Sequence, residues 1–418
     1  MNSRETAAEI IARWLISGEF PDRMMDAVES DRSFVMEAVY GAVKHKRTLE
    51  WVVQKLSRGR MDERAVPYLY VGLYQALYMT NVAEYAIVNE TVEASKKKLS
   101  GAAAGFVNAL LRRGLREKAA ILREIKNQAL GIRESHPDIL VDRWKTRYAA
   151  GKTMRLCKWN NSRPDVVLCI NTLKTTADDY AARLQEAGIE VVPHVFAPKR
   201  CFVVPHGVAV TGLPGYAEGL FSIQDPSMLM PVRLLGPRPG ETVLDACAAP
   251  GGKTVLIAER MNGEGNLVAM ELRKDRLPRL AENLERLEAD WVKIVAGDAA
   301  SPRQALGNMR FDRILVDAPC TNTGVLRRRA DARWRFSMER LNRLVSLQLS
   351  IMDGVAPLLA PGGAIVYCVC SIEPEEGRDM IAGWLKTHGE FKIACDEAVF
   401  PMDTETDGLY AARICRKT

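Results

Sequence analysis

Two strand-like runs of this chain each end in a cysteine that is followed by small polar residues. One run reads VDAPCTNTG and carries Cys320, and the other reads AIVYCVCS and ends near Cys370. A thiol in such a position could pack, hold a metal, form a disulfide or act as a nucleophile. The rest of the sequence has to distinguish these four possibilities.

A metal site and a disulfide are the less favoured explanations. The second run is C-x-C, with Cys368 before Cys370, and the chain has only five histidines, so zinc ligands are poorly supplied and no metal is expected. The N-terminus carries Glu5, Glu9 and Glu19 and has no apolar core, so it predicts no signal peptide. We expect a cytoplasmic, reducing location, no membrane contact and no structural disulfide. Cys368 is expected to be a buried packing residue.

A glycine-rich turn follows the first strand of the C-terminal region. The strand Thr242 to Cys247 leads into AAPGGKT, where Gly251 and Gly252 would let the backbone approach a ligand closely. The turn lacks the glycine spacing of a phosphate loop and of a dinucleotide-binding fingerprint. Strand ends carry acids at Asp245, Glu271 and Asp298, and Glu271 is spaced to accept from ribose hydroxyls. The combination predicts an adenosine-containing cofactor without a pyrophosphate.

These residues require an alternating strand and helix architecture to position them. The predicted strands are Thr242–Cys247, Gly265–Glu271, Trp291–Asp298, Phe311–Ala318 and Ala364–Ser371. Strands that alternate with helices indicate a parallel, doubly wound sheet that binds ligands at its carboxyl edge. We expect the fourth and fifth strands to neighbour the first, which would bring Cys320 and Cys370 to the crevice of the cofactor.

The chain is long enough for more than one domain. Its 418 residues change character twice. Residues 1–138 are predicted to be helical, with Tyr68 to Met79 as a buried central helix and two further helices at Ala86–Leu99 and Gly105–Arg123. Residues 139–222 mix short strands with a helix at Ala177–Glu186 and predict a small α+β unit. Residues 223–418 carry the chemistry.

The charge distribution allows a nucleic-acid partner. Lys and Arg exceed Asp and Glu by 58 to 52, a net charge of +6, which permits an anionic partner without requiring one. Residues 96–133 hold ten Lys or Arg against two Glu, and residues 327–343 hold seven arginines around Trp334 and Phe336. Arginines interleaved with aromatic side chains suit phosphate contact and base stacking on unpaired RNA. A solvated helix face is the alternative for both runs.

Several motifs together resemble a known enzyme family. DACAAPGGKT, VDAPCTNTG and YCVCSIEPEEG resemble, in order and spacing, the motifs of S-adenosylmethionine-dependent RNA cytosine-C5 methyltransferases. GLYQALYMTNVAEYAIVNETVEASKK and GFVNALLRR resemble a NusB-type RNA-binding domain, and HPDILVDRW, NNSRP, INTLKTT and FSIQDPSM also fit. Over essentially the whole chain, the sequence is similar to the bacterial 16S rRNA methyltransferases of the RsmB (Sun/Fmu) family. It departs from the family at Cys169, at Glu271 and in TNTGVLRRRADARW.

The resemblance implies a fold and a reaction. It implies a NusB-like helical RNA-binding domain at 1–138, an α+β RNA-contacting subdomain at 139–222 and a Rossmann-like class I methyltransferase domain at 223–418. It further implies methyl transfer to carbon 5 of an unpaired cytosine in 16S rRNA. In that reaction Cys370 attacks carbon 6 and Cys320 assists release, while Asp317 contacts the base edge and Lys253 helps to activate the nucleophile.

The expected site residues follow from the same motifs. Cofactor binding is expected at Asp245, Cys247, Ala248, Ala249, Pro250, Gly251, Gly252, Lys253, Glu271, Arg276, Asp298 and Asp317. RNA contact is expected at Arg112, Arg113, Arg327, Arg328, Arg329 and Trp334. The expected partner is 16S rRNA, naked or in a small-subunit assembly intermediate, bound by a monomer. A transfer RNA cytosine-C5 methyltransferase and a non-catalytic RNA-binding ribosome-assembly factor remain the alternatives.

Overall fold

The structure is a computed structural model that describes residues 2–57 and 61–417. They form two compact units. The first contains the residues up to Ser162 together with Leu326–Arg335, and the second contains Arg163–Val325 and the residues from Phe336 onward. Across the described ranges, no helix combines the length and the apolar character that crossing a membrane would require.

The first unit is helical, as the sequence predicted. Its described helices are α1 (Ser3–Ser17), α2 (Pro21–Met25), α3 (Arg32–Lys44), α4 (Lys46–Leu56), α5 (Val66–Tyr78), α6 (Glu84–Lys96), α7 (Gly101–Arg116), α8 (Lys118–Lys126), α9 (Leu130–Arg133) and α10 (Asp138–Asn161). Every residue of α5 from Pro67 to Leu77 is buried, which confirms it as the central helix. Glu117 separates α7 from α8, so the helix predicted over Gly105–Arg123 is in fact two.

The first compact unit extends past residue 138, where the predicted boundary between the first two domains stays a prediction. Helix α10 packs with the first unit, although we placed residues 139–161 with the middle segment. A short 3₁₀ segment at Ala330–Arg335 also belongs to this unit. Its Arg333 side chain is fully buried and donates to the Ser135 carbonyl (3.1 Å), to Asn161 Oδ1 (2.7 Å) and to the Asn160 carbonyl (3.1 Å). Burial lowers the pKa of Arg333 to about 9.

The second unit begins with a small antiparallel sheet. Its elements are β1 (Val166–Ile170), α11 (Ala177–Glu186), β2 (Val192–Pro193), β3 (Cys201–Val204) and β4 (Phe221–Ile223). The strand order is β2-β3-β1-β4, and all pairs are antiparallel. The helix at Ala177–Glu186 and the short strands expected in this segment are present. Tyr180 and Leu184 of α11 are buried with Leu168 and Ile170 of β1 in a core of their own.

The remainder of the second unit is a seven-stranded sheet with helices on both faces. Its elements are α12 (Leu229–Leu235), β5 (Thr242–Asp245), α13 (Gly252–Arg260), β6 (Asn266–Glu271), α14 (Leu277–Arg286), β7 (Lys293–Ala296), α15 (Arg303–Leu306), β8 (Phe311–Asp317), α16 (Met338–Val355), β9 (Leu359–Val369), α17 (Arg378–Thr387), β10 (Phe391–Val399), α18 (Pro401–Thr404) and β11 (Leu409–Arg416). The order is β10-β11-β9-β8-β5-β6-β7. Strands β5 to β9 are parallel, and β10 and β11 add an antiparallel edge.

The topology confirms the doubly wound sheet and corrects one detail of strand order. The fourth predicted strand, β8, pairs with β5 as expected. The fifth, β9, pairs with β8 and β11 and does not neighbour β5. Residues along each strand alternate between two cores, one under α12, α13 and α14 and the other under α16 and α17. The carboxyl ends of β8 and β9, which lead to Cys320 and Cys370, are therefore adjacent.

Candidate active site

Four carboxylates converge at the carboxyl edge of the parallel strands. Asp245, Glu271 and Asp317 are the last residues of β5, β6 and β8, and Asp298 follows β7 by two residues. All four carboxylates act on the same side chain, Cys247. Burial raises the pKa of Cys247 well above its ordinary value, and these four acids raise it further. Parallel strands place their carboxyl ends at one edge, which is the reason that residues far apart in sequence meet here.

The AAPGGKT loop contains a tight turn at Gly251. The Gly251 N–H donates to the Ala248 carbonyl at 2.8 Å, and Gly251 has a φ of 105°. A Cβ at Gly251 would lie 2.9 Å from Leu280 Cδ1, so a side chain is excluded both by backbone conformation and by space. The peptide between Ala249 and Pro250 is cis. Gly252 begins α13 directly after this turn.

Glu271 and Arg276 brace this loop from the second strand. Glu271 is 5% exposed, and its Oε2 accepts from the Ala249 N–H at 3.3 Å. Arg276 donates to the Ala249 carbonyl at 2.5 Å and lies 3.4 Å from Glu271 Oε2. Glu271 Oε1 accepts from the Arg273 N–H at 2.9 Å. Arg276, which we expected to bind the cofactor, therefore shapes the loop that would contact it.

Asp245 is the most deeply buried acid of the cluster. It is 1% exposed, and its Oδ2 accepts from Thr254 Oγ1 at 2.7 Å. Its Oδ1 is buried and has no hydrogen-bond partner among the described residues. Burial raises the pKa of Asp245 to about 7, and the Asp317 carboxylate adds to the increase. A buried carboxylate oxygen without a donor is suited to a cationic or hydroxyl-bearing ligand.

Asp298 has the remaining strand-end carboxylate. It is half-buried, and its Oδ1 accepts from the Ala300 N–H at 2.9 Å. This bond closes the turn that follows β7 and orients the carboxylate. Asp298 thus lies on the same edge as Glu271 and one strand further from β5.

An ion pair links the glycine-rich loop to β8 and to the cysteine-bearing strand. Lys253 Nζ lies 2.6 Å from Asp317 Oδ2, and Asp317 Oδ1 lies 3.5 Å from Cys368 Sγ. Burial alone would lower the pKa of Lys253, but the Asp317 carboxylate raises it above its ordinary value. The Lys253 ammonium is therefore retained, and it interacts electrostatically with Cys370.

The two cysteines singled out by the sequence differ in exposure and charge. Cys370 is half-buried, whereas Cys320 is 7% exposed and donates weakly to Asn322 Oδ1 at 3.8 Å. The pKa of Cys320 is raised well above its ordinary value by burial, then by the Glu376 carboxylate and by Cys370. Cys320 is thus held as a neutral thiol near neutral pH. Cys368, fully buried in the core, has a pKa raised by burial and by Asp317.

Three comparisons relate this chain to known proteins. A family model described as 16S rRNA methyltransferase RsmB/F matches residues 232–415, a NusB family model matches residues 1–116, and a ferredoxin-like domain model of the RsmF/B-like methyltransferases matches residues 136–211. The ribosomal RNA small subunit methyltransferase B of Serratia proteamaculans (strain 568) is 35% identical over 401 residues, which is 94% of this chain and 92% of that protein.

The chain belongs to the RsmB/F family of 16S rRNA methyltransferases. Solved structures agree with this family at the level of the fold. The crystal structure of PH0851 matches with a TM-score of 0.84 and 24% identity over 99% of both chains. A methyltransferase homolog protein from Pyrococcus horikoshii matches with a TM-score of 0.61 and 27% identity over 69% of this chain and 98% of that one. The expected family, the fold class and an rRNA methyltransferase activity are confirmed.

The residues expected to contact RNA occupy varied environments in the first unit. Arg327 is 6% exposed, and its guanidinium lies 4.2 Å from the centroid of the Trp159 ring. Trp334 donates to the Val43 carbonyl at 2.7 Å and packs against the helical core. Arg327 is thus buried and Trp334 partly buried, and their expected contact with RNA stays a prediction. Arg329 is exposed and Arg328 is half-exposed.

The basic residues of α7 divide in a similar way. Arg112 is exposed and donates to Asn108 Oδ1 at 2.9 Å. Arg113 is half-buried, donates to the Leu56 carbonyl at 3.0 Å and pairs with Glu117 at 2.9 Å. Arg112 is therefore presented to solvent, whereas Arg113 is a structural cation between two helices.

Sequence reasoning missed Glu376, which lies beside both candidate thiols. It is the last of the three glutamates in the motif SIEPEEG, and we gave it no role. The structure places its side chain at 0% exposure between the loops of Cys320 and Cys370. A buried acid could have been suspected from its position directly after the fifth strand. Its partners, however, come from three separate segments and could not be read from the sequence.

Proposed function

We propose that this chain transfers a methyl group from S-adenosyl-L-methionine to carbon 5 of an unpaired cytosine in 16S rRNA, through a covalent bond between Cys370 and carbon 6. The observation that carries the proposal is the buried Lys253–Asp317 pair. It links the glycine-rich loop to β8, and its ammonium interacts electrostatically with Cys370. A methyltransferase that acts at an oxygen or nitrogen atom has no need of a thiol activated in this way.

The strand-end carboxylates fit an adenosine-containing cation. S-adenosylmethionine, when bound, supplies the electrophilic methyl group. Asp245 offers a buried oxygen without a donor among the described residues, and Glu271 and Asp298 offer carboxylates for hydroxyl and amine donors on the same edge. The turn at Gly251 and Gly252 keeps side chains away from that edge. These features support a cofactor site formed by the residues from Asp245 to Lys253 with Glu271, Asp298 and Asp317.

Cys370 would begin the reaction as a nucleophile. Carbon 5 of cytosine is weakly nucleophilic, and addition of a thiolate to carbon 6 converts it into an enamine carbon that can accept the methyl group. The Lys253 ammonium favours the thiolate form, and Asp317, held by Lys253 at 2.6 Å, would accept a hydrogen bond from the edge of the base. The S–C6 bond forms as the ring gains electron density at carbon 5.

Cys320 would serve the release step. After methylation, the proton on carbon 5 has to leave, the double bond between carbons 5 and 6 has to return, and the S–C6 bond has to break so that Cys370 recovers its electron pair. Cys320 lies on the neighbouring loop and interacts electrostatically with Cys370. Its raised pKa disfavours an attack by this thiol in the free protein. After the adduct has formed, Cys320 would release its own proton to solvent and then, as a strongly basic thiolate, accept the proton of carbon 5 while the S–C6 electron pair returns to Cys370.

Delivery of RNA is proposed for the first unit and its basic residues. Arg112 and Arg329 are the exposed members of the expected set, and a flexible single-stranded region would meet the need to splay out the target base. Naked 16S rRNA and a small-subunit assembly intermediate are both consistent with this surface. A monomer suffices, because the residues proposed for chemistry all come from one chain.

Radiolabelled methyl transfer tests the proposal directly. The purified chain should label 16S rRNA and leave transfer RNA unlabelled, and mass mapping of the labelled fragment should locate 5-methylcytosine. Preferential labelling of transfer RNA would support the alternative substrate. Binding of rRNA without any methyl transfer would support a non-catalytic assembly factor.

A further inference from the structure

A buried glutamate connects the loops that carry the two candidate thiols. Glu376 lies in a 3₁₀ turn, Pro374–Glu376, shortly after β9, and it is 0% exposed. Its Oε1 accepts from the Thr321 N–H at 2.7 Å and from Gln348 Nε2 at 3.3 Å. Its Oε2 accepts from Ser371 Oγ at 2.6 Å and from the hydroxyl of Thr321. One carboxylate therefore serves four donors from three segments.

The partners of Glu376 have a specific relation to the thiols. Thr321 is the residue directly after Cys320, and Ser371 is the residue directly after Cys370. The same carboxylate thus binds the neighbour of each cysteine. Because the loops follow adjacent parallel strands, nothing in the sheet itself sets the separation of the loops beyond the strand ends.

Further hydrogen bonds join the same two loops around this carboxylate. The Gly324 N–H donates to the Cys370 carbonyl at 3.2 Å, and the Ile372 N–H donates to Thr323 Oγ1 at 3.2 Å. The backbone carbonyl of Glu376 accepts from the Tyr367 hydroxyl at 2.6 Å. Glu376 is consequently anchored to β9 by its main chain and to both loops by its side chain.

We propose that Glu376 is a positioning residue that links the Cys320 loop to the Cys370 loop and fixes the two thiols relative to each other for successive steps. The proposal rests on the proposed function, in which the two cysteines act in sequence. Glu376 acts through Thr321 and Ser371, since it is fully buried and all four of its observed contacts are to protein donors. It is not a general base, because no part of it faces the site.

The charge of Glu376 has a second effect, on the pKa of Cys320. Burial raises the pKa of Glu376, and hydrogen bonds from Ser371 and Thr321 partly oppose that increase. After burial, the Glu376 carboxylate is the largest cause of the raised pKa of Cys320. Its position therefore keeps Cys320 a neutral thiol while it orients the loop, which reduces competition with Cys370 for carbon 6.

Two substitutions separate the effect of the hydrogen bonds that Glu376 makes to both loops from the effect of its charge. Glu376→Gln keeps an acceptor oxygen for the Thr321 N–H and an amide that can donate to the hydroxyls of Thr321 and Ser371, so it removes the charge and retains the link. Glu376→Ala removes both. Glu390→Ala, at an exposed position of the same unit, is the matched control.

The experiment follows the covalent RNA adduct on a denaturing gel together with turnover and cofactor affinity. Glu376→Ala should slow turnover by about 100-fold, the usual scale for a misplacement near 1 Å, and should accumulate an adduct that the parent enzyme does not retain. Accumulation is expected because a loosened Cys320 loop impairs release more than attack. Cofactor affinity by calorimetry should stay within about threefold of the parent, and Glu376→Gln should recover most of the turnover.

Three results would overturn the positioning role. The first is parental turnover in Glu376→Ala, and the second is loss of turnover together with cofactor affinity, which would indicate a general structural role. The third is slow turnover without an adduct. If Glu376→Ala does not fold, Ser371→Ala removes the Cys370 side of the link and should show a weaker form of the same adduct. An adduct in Cys320→Ala together with parental behaviour in Glu376→Ala would reject this role alone, whereas no adduct in any variant would reject the proposed function.

Discussion

Cys320 and Cys370 lie after the carboxyl ends of neighbouring parallel strands, yet their environments differ. Cys370 is half-buried and interacts with the Lys253 ammonium, whereas Cys320 is 7% exposed and interacts with the Glu376 carboxylate. A nearby cation favours a thiolate, and a nearby anion together with burial disfavours one. Two cysteines that look alike in sequence therefore differ in exposure and in the charged residue with which each one interacts.

The comparison also explains why Cys368 has no part in the proposed reaction. It lies two residues before Cys370 on the same strand and close to Asp317. It is fully buried, however, and its raised pKa results first from that burial. Proximity to the site is thus insufficient to make a cysteine the nucleophile. Cys370 differs from Cys368 in that it combines partial exposure with an interaction with the Lys253 ammonium.

Removal of each thiol gives the largest expected effect. Cys370→Ala should abolish both product and covalent adduct, a loss on the order of 10³-fold or more in turnover, because the nucleophile is absent. Cys320→Ala should form the adduct and stall, which appears as an RNA-dependent band on a denaturing gel that nuclease collapses. An adduct in Cys370→Ala would reverse the two assignments. Cys395→Ala, at an exposed position, is the control.

Removal of the cation tests what makes Cys370 different. Lys253→Met should lower the rate of adduct formation at pH 7 by about tenfold or more, because the thiolate loses its adjacent positive charge. The loss should diminish as pH rises, since hydroxide then generates the thiolate without help. Lys274→Met, at an exposed position of the same unit, should be unchanged. A pH-independent loss would contradict the electrostatic explanation.

Thiol alkylation compares the two environments without RNA. Iodoacetamide should modify Cys370 about tenfold or more faster than Cys320 at pH 7, because Cys320 is buried and neutral. Peptide mass spectrometry over time would measure both rates in one sample, with exposed Cys395 as the internal reference. Equal rates at Cys320 and Cys370 would remove the basis of the comparison.

Cofactor binding should show the smallest effect, through Asp245. Its pKa of about 7 is raised above the ordinary value, so the carboxyl becomes protonated as pH falls through 7, and the ionised form is the one that would bind a cation. Affinity for S-adenosylmethionine by calorimetry should therefore fall about tenfold from pH 8 to pH 6. Asp245→Asn should bind more weakly at pH 8 and lose this pH dependence, while Asp290→Asn, at an exposed position, should retain it.

The sequence alone determined the strand-end chemistry because that information is local. Strand, glycine-rich turn and helix follow one another within about ten residues around AAPGGKT, and the parallel topology then requires Asp245, Glu271 and Asp317 to share an edge. The helical first region could be predicted equally well, since α5 is apolar on nearly every face. The placement of Cys320 and Cys370 after neighbouring carboxyl ends followed from the same rule, although β9 does not neighbour β5.

Only the tertiary structure decided which charged residues face solvent and which are buried. The arginine-rich run was predicted to contact RNA, yet Arg333 is fully buried in the first unit and Trp334 bonds to Val43. Glu376 likewise appeared as one acid among several, and its four donors come from Thr321, Gln348 and Ser371. A charged side chain can be recognised as structural only when its partners are known. Its burial is tolerated because distant segments supply hydrogen bonds, and the sequence alone does not show which segments these are.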